Sequence, residues 1–158
     1  MKIKVVNSSP LLPVGKHQVK ISKVYKATAK TGSEQLAVLF VAEDGGKFTN
    51  WFNLQGFKRD PKEPTRVDDQ GYKRPNYLTD KKGERIVDEE ATLLCEEIIG
   101  KLMFHAGCEE GDELDPMKAL EGKSVTIAIR SENKGLGQRD VLHYTAPARE
   151  TSDVDILV

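Results

Sequence analysis

Apolar and polar positions alternate with period two through the first third of the chain, which is the spacing of half-buried β-strands. Within Lys16–Lys26, His17, Val19 and Ile21 share one face, and Lys16, Gln18 and Lys20 share the other. After Ser22 the apolar position moves to Val24. A one-residue slip inside a strand marks a β-bulge, and it places Lys23 and Tyr25 on the lysine face. Gln35–Glu43 (QLAVLFVAE) is apolar on both faces and predicts a central strand covered on each side. Asp44-Gly45-Gly46 makes a tight turn into Lys47–Leu54, KFTNWFNL. In that strand Phe48, Phe52 and Leu54 fall on one face, with Lys47, Thr49, Trp51 and Asn53 on the other.

Farther along, the period changes. Asp88–Ala106 carries an apolar stripe at helical spacing: Ala91, Leu94, Cys95, Ile98 and Leu102. Asp88 suits an N-cap, Glu89 and Glu90 suit the first turn, and Gly107 suits the C-terminal cap. Pro116–Leu120 predicts one further helical turn. Ser124–Arg130 alternates again with Val125, Ile127 and Ile129 inward. Asn133–Gly137 (NKGLG) reads as a turn, and Arg139–Thr145 as the last strand. Residues 55–87 hold three prolines, nine Lys/Arg and three aromatics, and read as a projecting insertion. A small hairpin around Lys82-Gly83 is expected at Tyr77–Val87. Residues 1–14 read as an N-terminal arm, 15–145 as the domain and 146–158 as a C-terminal tail. Three strands, an insertion, a helix and two strands, with a bulged first strand, predict a mainly β chain. The order is that of an OB-fold, a five-stranded Greek-key barrel with one helix between strands three and four. Another small β-barrel or an α+β sandwich is the alternative.

Composition narrows the class. A chain of 158 residues with 38% hydrophobic and 31% charged residues is one soluble domain. No apolar run approaches the roughly 18–20 residues of a membrane span, and the N-terminus lacks a signal-peptide pattern. Two cysteines are too few for a disulfide framework, which suits the cytoplasm. The net charge of −1 conceals an asymmetry. Residues 1–87 hold 17 Lys/Arg against 9 Asp/Glu, whereas residues 88–158 hold 7 against 16. The first 33 residues contain seven lysines and no acid. A basic end that binds a polyanion and an acidic end that masks it or docks a partner follow from that split.

Trp51 focuses the candidate chemistry. A large flat ring among small polar neighbours is either core, covered by another element, or a platform on which bases stack. With Tyr25 on the lysine face and Lys20, Lys23 and Lys47 nearby, the pattern is aromatic rings interleaved with cations. The two loops that would frame an OB-fold site are basic as well. Lys26 stands at the edge of the first (Ala27–Glu34) and Lys30 within it, while Lys134 lies in the second (Ser131–Gln138), flanked by Arg130 and Arg139. The insertion repeats the theme with Arg59, Tyr72, Lys73, Arg74 and Tyr77, either as nucleic-acid contacts or as anchors of a surface loop. The C-terminal run Asp153, Asp155, Ile156, Leu157 and Val158 is acidic with an apolar tip. It suits competition with nucleic-acid phosphates, docking of a separate partner protein, or simple packing on the domain.

Other chemistries lack their residues. His105 and Cys108, with Cys95 on the helix stripe, fall one or two ligands short of a zinc site. Asp112, Glu113 and Asp115 read as a solvated loop. The chain has no Gly-rich phosphate loop, nucleophile elbow or paired-carboxylate motif, so neither a cofactor nor an enzymatic activity is expected.

Several runs resemble a known family. They are Leu12-Pro13-Val14-Gly15-Lys16-His17-Gln18-Val19-Lys20-Ile21, Lys30-Thr31-Gly32-Ser33, the apolar strand from Leu36, Trp51-Phe52-Asn53-Leu54 and Leu120-Glu121-Gly122-Lys123-Ser124-Val125. As a pattern over roughly residues 12–145, the chain looks like the phage and prophage OB-fold proteins that bind single-stranded DNA among recombination and replication genes. The resemblance implies largely sequence-independent binding of single strands by the aromatic and basic sheet face. It leaves RNA and homo-oligomers open. An OB-like adaptor between replication or recombination proteins is the second expectation, and a hydrolase the third.

Overall fold

A computed structural model describes residues 1–5, 11–29, 32–134 and 137–148. Its centre is one antiparallel five-stranded sheet. β1 (Gly15–Thr28), β2 (Glu34–Ala42) and β3 (Lys47–Asn53) form the expected meander. Four short strands follow: β4 (Gly56–Phe57), β5 (Thr65–Val67), β6 (Lys73–Pro75) and β7 (Val87–Asp88). Helices α1 (Glu89–His105) and α2 (Pro116–Ala119) lead to β8 (Ser124–Lys134) and β9 (Gly137–Pro147). The order across the main sheet is β3-β2-β1-β8-β9. Among the described residues no helix is long and apolar enough to cross a membrane.

β1 holds the sheet together because it pairs twice. Its first part runs against β8, from Gly15–Ile129 to Lys20–Ser124, and its second against β2, from Val19–Ala42 to Thr28–Glu34. The register shifts between Ile21 and Lys23, so the expected bulge lies at Ser22. A bulge bends the strand and adds twist. Ile21, Val24, Leu36, Val38, Phe40 and Phe52 point into a core shared with Val125, Ile127 and Ile129.

The sheet does not close into a barrel. β3 and β9, its outer strands, pair with β2 and β8 but not with each other among the described residues. The physical reason is α1, which packs against both outer strands and keeps them apart. Asp88 caps that helix as expected, its carboxylate accepting from the Ala91 N–H at 3.1 Å. The buried stripe is rotated from the expected one. Ile99, Leu102 and Ala106 enter the core, while Leu94 and Ile98 are exposed. Two apolar stripes thus share the helix, and only packing selects which one is covered.

Other boundaries shift. Leu12 leaves the arm to enter the core, its N–H donating to the Lys47 carbonyl at 2.9 Å. β8 and β9 run on to Lys134 and from Gly137, consuming most of the expected glycine turn. β9 also continues through Pro147, so the domain passes residue 145. The insertion is folded. β5 pairs β6, β4 pairs β7, and the expected hairpin closes with Thr79 opposite Arg85.

Gly56 ties the insertion to the helix. A Cβ built there would lie 2.2 Å from the Ala91 Cβ and 2.8 Å from its carbonyl carbon. Gly56→Ala is therefore expected to destabilise the domain by about 1–3 kcal/mol in urea denaturation. Adding Ala91→Gly should restore only part, because the backbone contact remains. A fully stable Gly56→Ala protein would show that the β4–helix approach is looser than described.

Candidate nucleic-acid interface

The register of β1, β2 and β3 fixes which side chains share a face. Tyr25 lies opposite Ala37, and Ala37 opposite Trp51. The next rows are Lys23–Leu39–Thr49 and Lys20–Val41–Lys47. All project away from the core row Ile21–Phe40–Phe48. The bulge sets Lys20 and Lys23 on one side despite their odd spacing. Neighbouring strands stand about 4.8 Å apart, so the backbones carrying Tyr25 and Trp51 are roughly 10 Å apart.

Trp51 is 52% exposed and Tyr25 39%, so neither ring is core. Ala37 between them is fully buried. The Lys23 ammonium sits 5.4 Å from the Tyr25 ring centre, a cation–π distance. Lys20, Lys23 and Lys47 are exposed on the same surface. The arrangement offers two flat apolar surfaces and three exposed cations, and no carboxylate occupies the three rows.

Lys26 departs from this group. It lies opposite Leu36, which lies opposite Phe52, so its position has the parity of the core face. Lysines three residues apart across a bulge share a face; Lys23 and Lys26, beyond it, do not. Lys30 and the tail residues Asp153, Asp155, Ile156, Leu157 and Val158 lie outside the described residues, as does the side chain of Lys134.

The remaining candidates are dispersed. Arg130 is exposed on β8, its Nε donating to Glu132 at 2.8 Å, and Arg139 lies opposite Glu132. Within the insertion, Tyr77 meets Phe57 edge-on at 5.8 Å and lies 4.6 Å beneath the Arg85 guanidinium. Arg85 also donates to the Ser33 hydroxyl at 2.9 Å, linking the insertion to the end of the β1–β2 connection. Tyr77 thus anchors the insertion. Arg59, opposite Tyr77, lines a small cavity with Gln35 and Asn53. Tyr72, Lys73 and Arg74 belong to the separate β5–β6 hairpin, where Arg74 stacks 5.5 Å over Tyr72 and pairs with Asp68 at 3.0 Å. The Tyr72 N–H and then the Arg74 guanidinium hold the Asp68 carboxyl below its usual pKa.

Where the sheet stays open, a cleft of about 550 Å³ lies between β3, β9 and α1. Asn50, Trp51 and Asn53 form one wall, His143 and Tyr144 the other, and Leu102 and His105 are part of the floor. Tyr144 is 41% exposed. The His105 Nδ1 lies 2.7 Å from the Thr145 hydroxyl, which ties the helix to β9. Cys95 also faces the cleft; burial and the neighbouring Glu96 carboxylate raise its pKa, so the thiol stays protonated at neutral pH. Sequence reasoning missed this place. Tyr144 offered only a weak signal, since its period-two neighbours on the last strand are the apolar Leu142 and Ala146, whereas Trp51 stands between Thr49 and Asn53.

Comparison of the chain with protein-family models and with curated proteins gave no match.

Proposed function

We propose that the protein binds single-stranded DNA, largely without sequence preference, across the face formed by β1, β2 and β3. The observation that carries the reading is one cross-strand row, Tyr25–Ala37–Trp51, with both rings exposed and Lys20, Lys23 and Lys47 on the same surface. Bases stack on aromatic faces whatever their identity, and lysines neutralise phosphates whatever the sequence. The strand order, the bulged β1 and the helix between β3 and β8 support an OB-type sheet left open between β3 and β9. The resemblance to phage single-strand-binding proteins adds a role in phage-type DNA replication or recombination, in the cytoplasm and without catalysis.

Titration with oligo(dT), duplex DNA and RNA tests this. Quenching of Trp51 fluorescence by oligo(dT), with little response to duplex, is expected. Log affinity should fall with log salt at about −0.7 per phosphate neutralised. In the Lys20→Ala/Lys23→Ala protein the slope should become shallower by about 1.4. An unchanged slope removes these lysines from the interface, and absence of single-strand binding removes the proposal.

A protein-interaction adaptor is the second reading. Leu93 and Phe104 favour it, because both are exposed on the side of α1 turned away from Ile99 and Leu102.

A further inference from the structure

The open seam of the sheet carries chemistry that the flat face lacks. Trp51 belongs to both, since its row crosses β1–β3 and the residue also lines the cleft. A strand stacked on Tyr25 and Trp51 therefore reaches the cleft mouth without leaving the protein. The volume of about 550 Å³ is in the range of small-ligand sites, and it is open rather than sealed. Trp51 and Tyr144 stand on its two walls, so a flat ring entering between β3 and β9 meets an aromatic group on either side. Asn50 offers both a donor and an acceptor, and Asn53, whose Oδ1 accepts from the Gln35 amide at 2.9 Å, keeps its N–H donors, which together suit a base edge.

Charge points the same way. The lining residues include Lys101, His105 and His143 but no aspartate or glutamate. That is selective, because α1 itself carries Glu89, Glu90, Glu96 and Glu97, none of which lines the cleft. An anionic ligand is tolerated here, and a cationic one finds no carboxylate partner.

Resting on the single-strand-binding reading above, we infer that the seam between β3 and β9 is a nucleotide pocket. One base of the bound strand leaves the stack on the sheet face and inserts between Trp51 and Tyr144, over the floor formed by Leu102 and His105. Its phosphate stays at the mouth, on the side of Lys101. The pocket takes any base that fits, with the two asparagines grading the fit by their hydrogen bonds. Flipping a base out of a single strand costs little, since no pairing is broken.

Photocross-linking of oligo(dT) carrying 4-thiothymidine, with the linked peptides identified by mass spectrometry, tests the inference on the full chain. Links to Tyr144 or His143 on β9, as well as to Trp51 on β3, are expected. Links confined to β1, β2 and β3 would overturn the pocket and leave the sheet-face reading intact. Ile98→Trp supplies an independent arm. Ile98 lines the cleft and is exposed on the helix, so a larger side chain fills the seam without entering the core. With an unchanged melting temperature, this variant should bind oligo(dT) about tenfold more weakly, with the same salt slope and without the β9 links. Unaltered affinity and unaltered links would overturn the pocket. If the folded wild-type protein binds no single strand at all, both readings fall together. Tyr144→Ala, at an exposed strand position, should reproduce the loss should Ile98→Trp fail to fold.

Discussion

Replacing Trp51 and Tyr25 together by alanine is expected to lower affinity for oligo(dT) by about 2–6 kcal/mol. Each base–aromatic stack contributes about 1–3 kcal/mol. The two rings flank Ala37 from opposite strands, roughly 10 Å apart at the backbone, a separation at which single effects usually add. The domain should stay folded, because both rings are substantially exposed and neither belongs to the buried cluster. Circular dichroism establishes folding first, and fluorescence anisotropy of a labelled oligonucleotide then gives the affinity. The salt slope should stay that of the parent, since no cation is removed. Loss of folding would return Trp51 to the core. A folded double variant with parental affinity would remove stacking from the mechanism.

The second large effect concerns stability. Phe40 is fully buried at the centre of the row Ile21–Phe40–Phe48, where the meander meets the rest of the core. Phe40→Ala removes the transfer energy of the ring and leaves a cavity that the surrounding strands cannot fill, at a cost of about 3–5 kcal/mol. For a domain of this size that lowers the melting temperature by roughly 6–20 °C. Phe40→Leu should lose much less, since most of the volume is kept. If Phe40→Ala melted within a degree or two of the parent, the core would have to be centred elsewhere.

The legible parts were those set by local alternation. The meander, the bulge at Ser22 and the outward face of Trp51 follow from period-two patterning, because a strand in a one-sided core must keep its apolar set together. The cap at Asp88 followed from side-chain chemistry alone. The helix stripe was ambiguous for a stated reason: Leu94, Ile98 and Leu102 fit one apolar arc, Ile99, Leu102 and Ala106 another, and only the sheet's position chooses. Barrel closure was illegible because it depends on whether two strands distant in sequence meet, and α1 separates them here. The Trp51–Tyr144 seam was illegible for the same reason. Its walls lie about 90 residues apart in the chain, and no local pattern announces that they face each other. Lys26 shows the opposite case, a residue near the right place whose parity was decided by the bulge.

The double pairing of β1 has a consequence for how the chain folds. Its partner β2 is the next strand, but Gly15 and Ile129 are about 110 residues apart. The meander can therefore form early, from contacts local in sequence, with the front half of β1 still unpaired. Joining that half to β8 closes a long loop, whose entropy must be met before the new contacts stabilise anything. Assembly is thus divided in time. The surface carrying Tyr25 and Trp51 can exist as soon as β3 has been made, whereas the seam beside Tyr144 waits for the last strand of the chain.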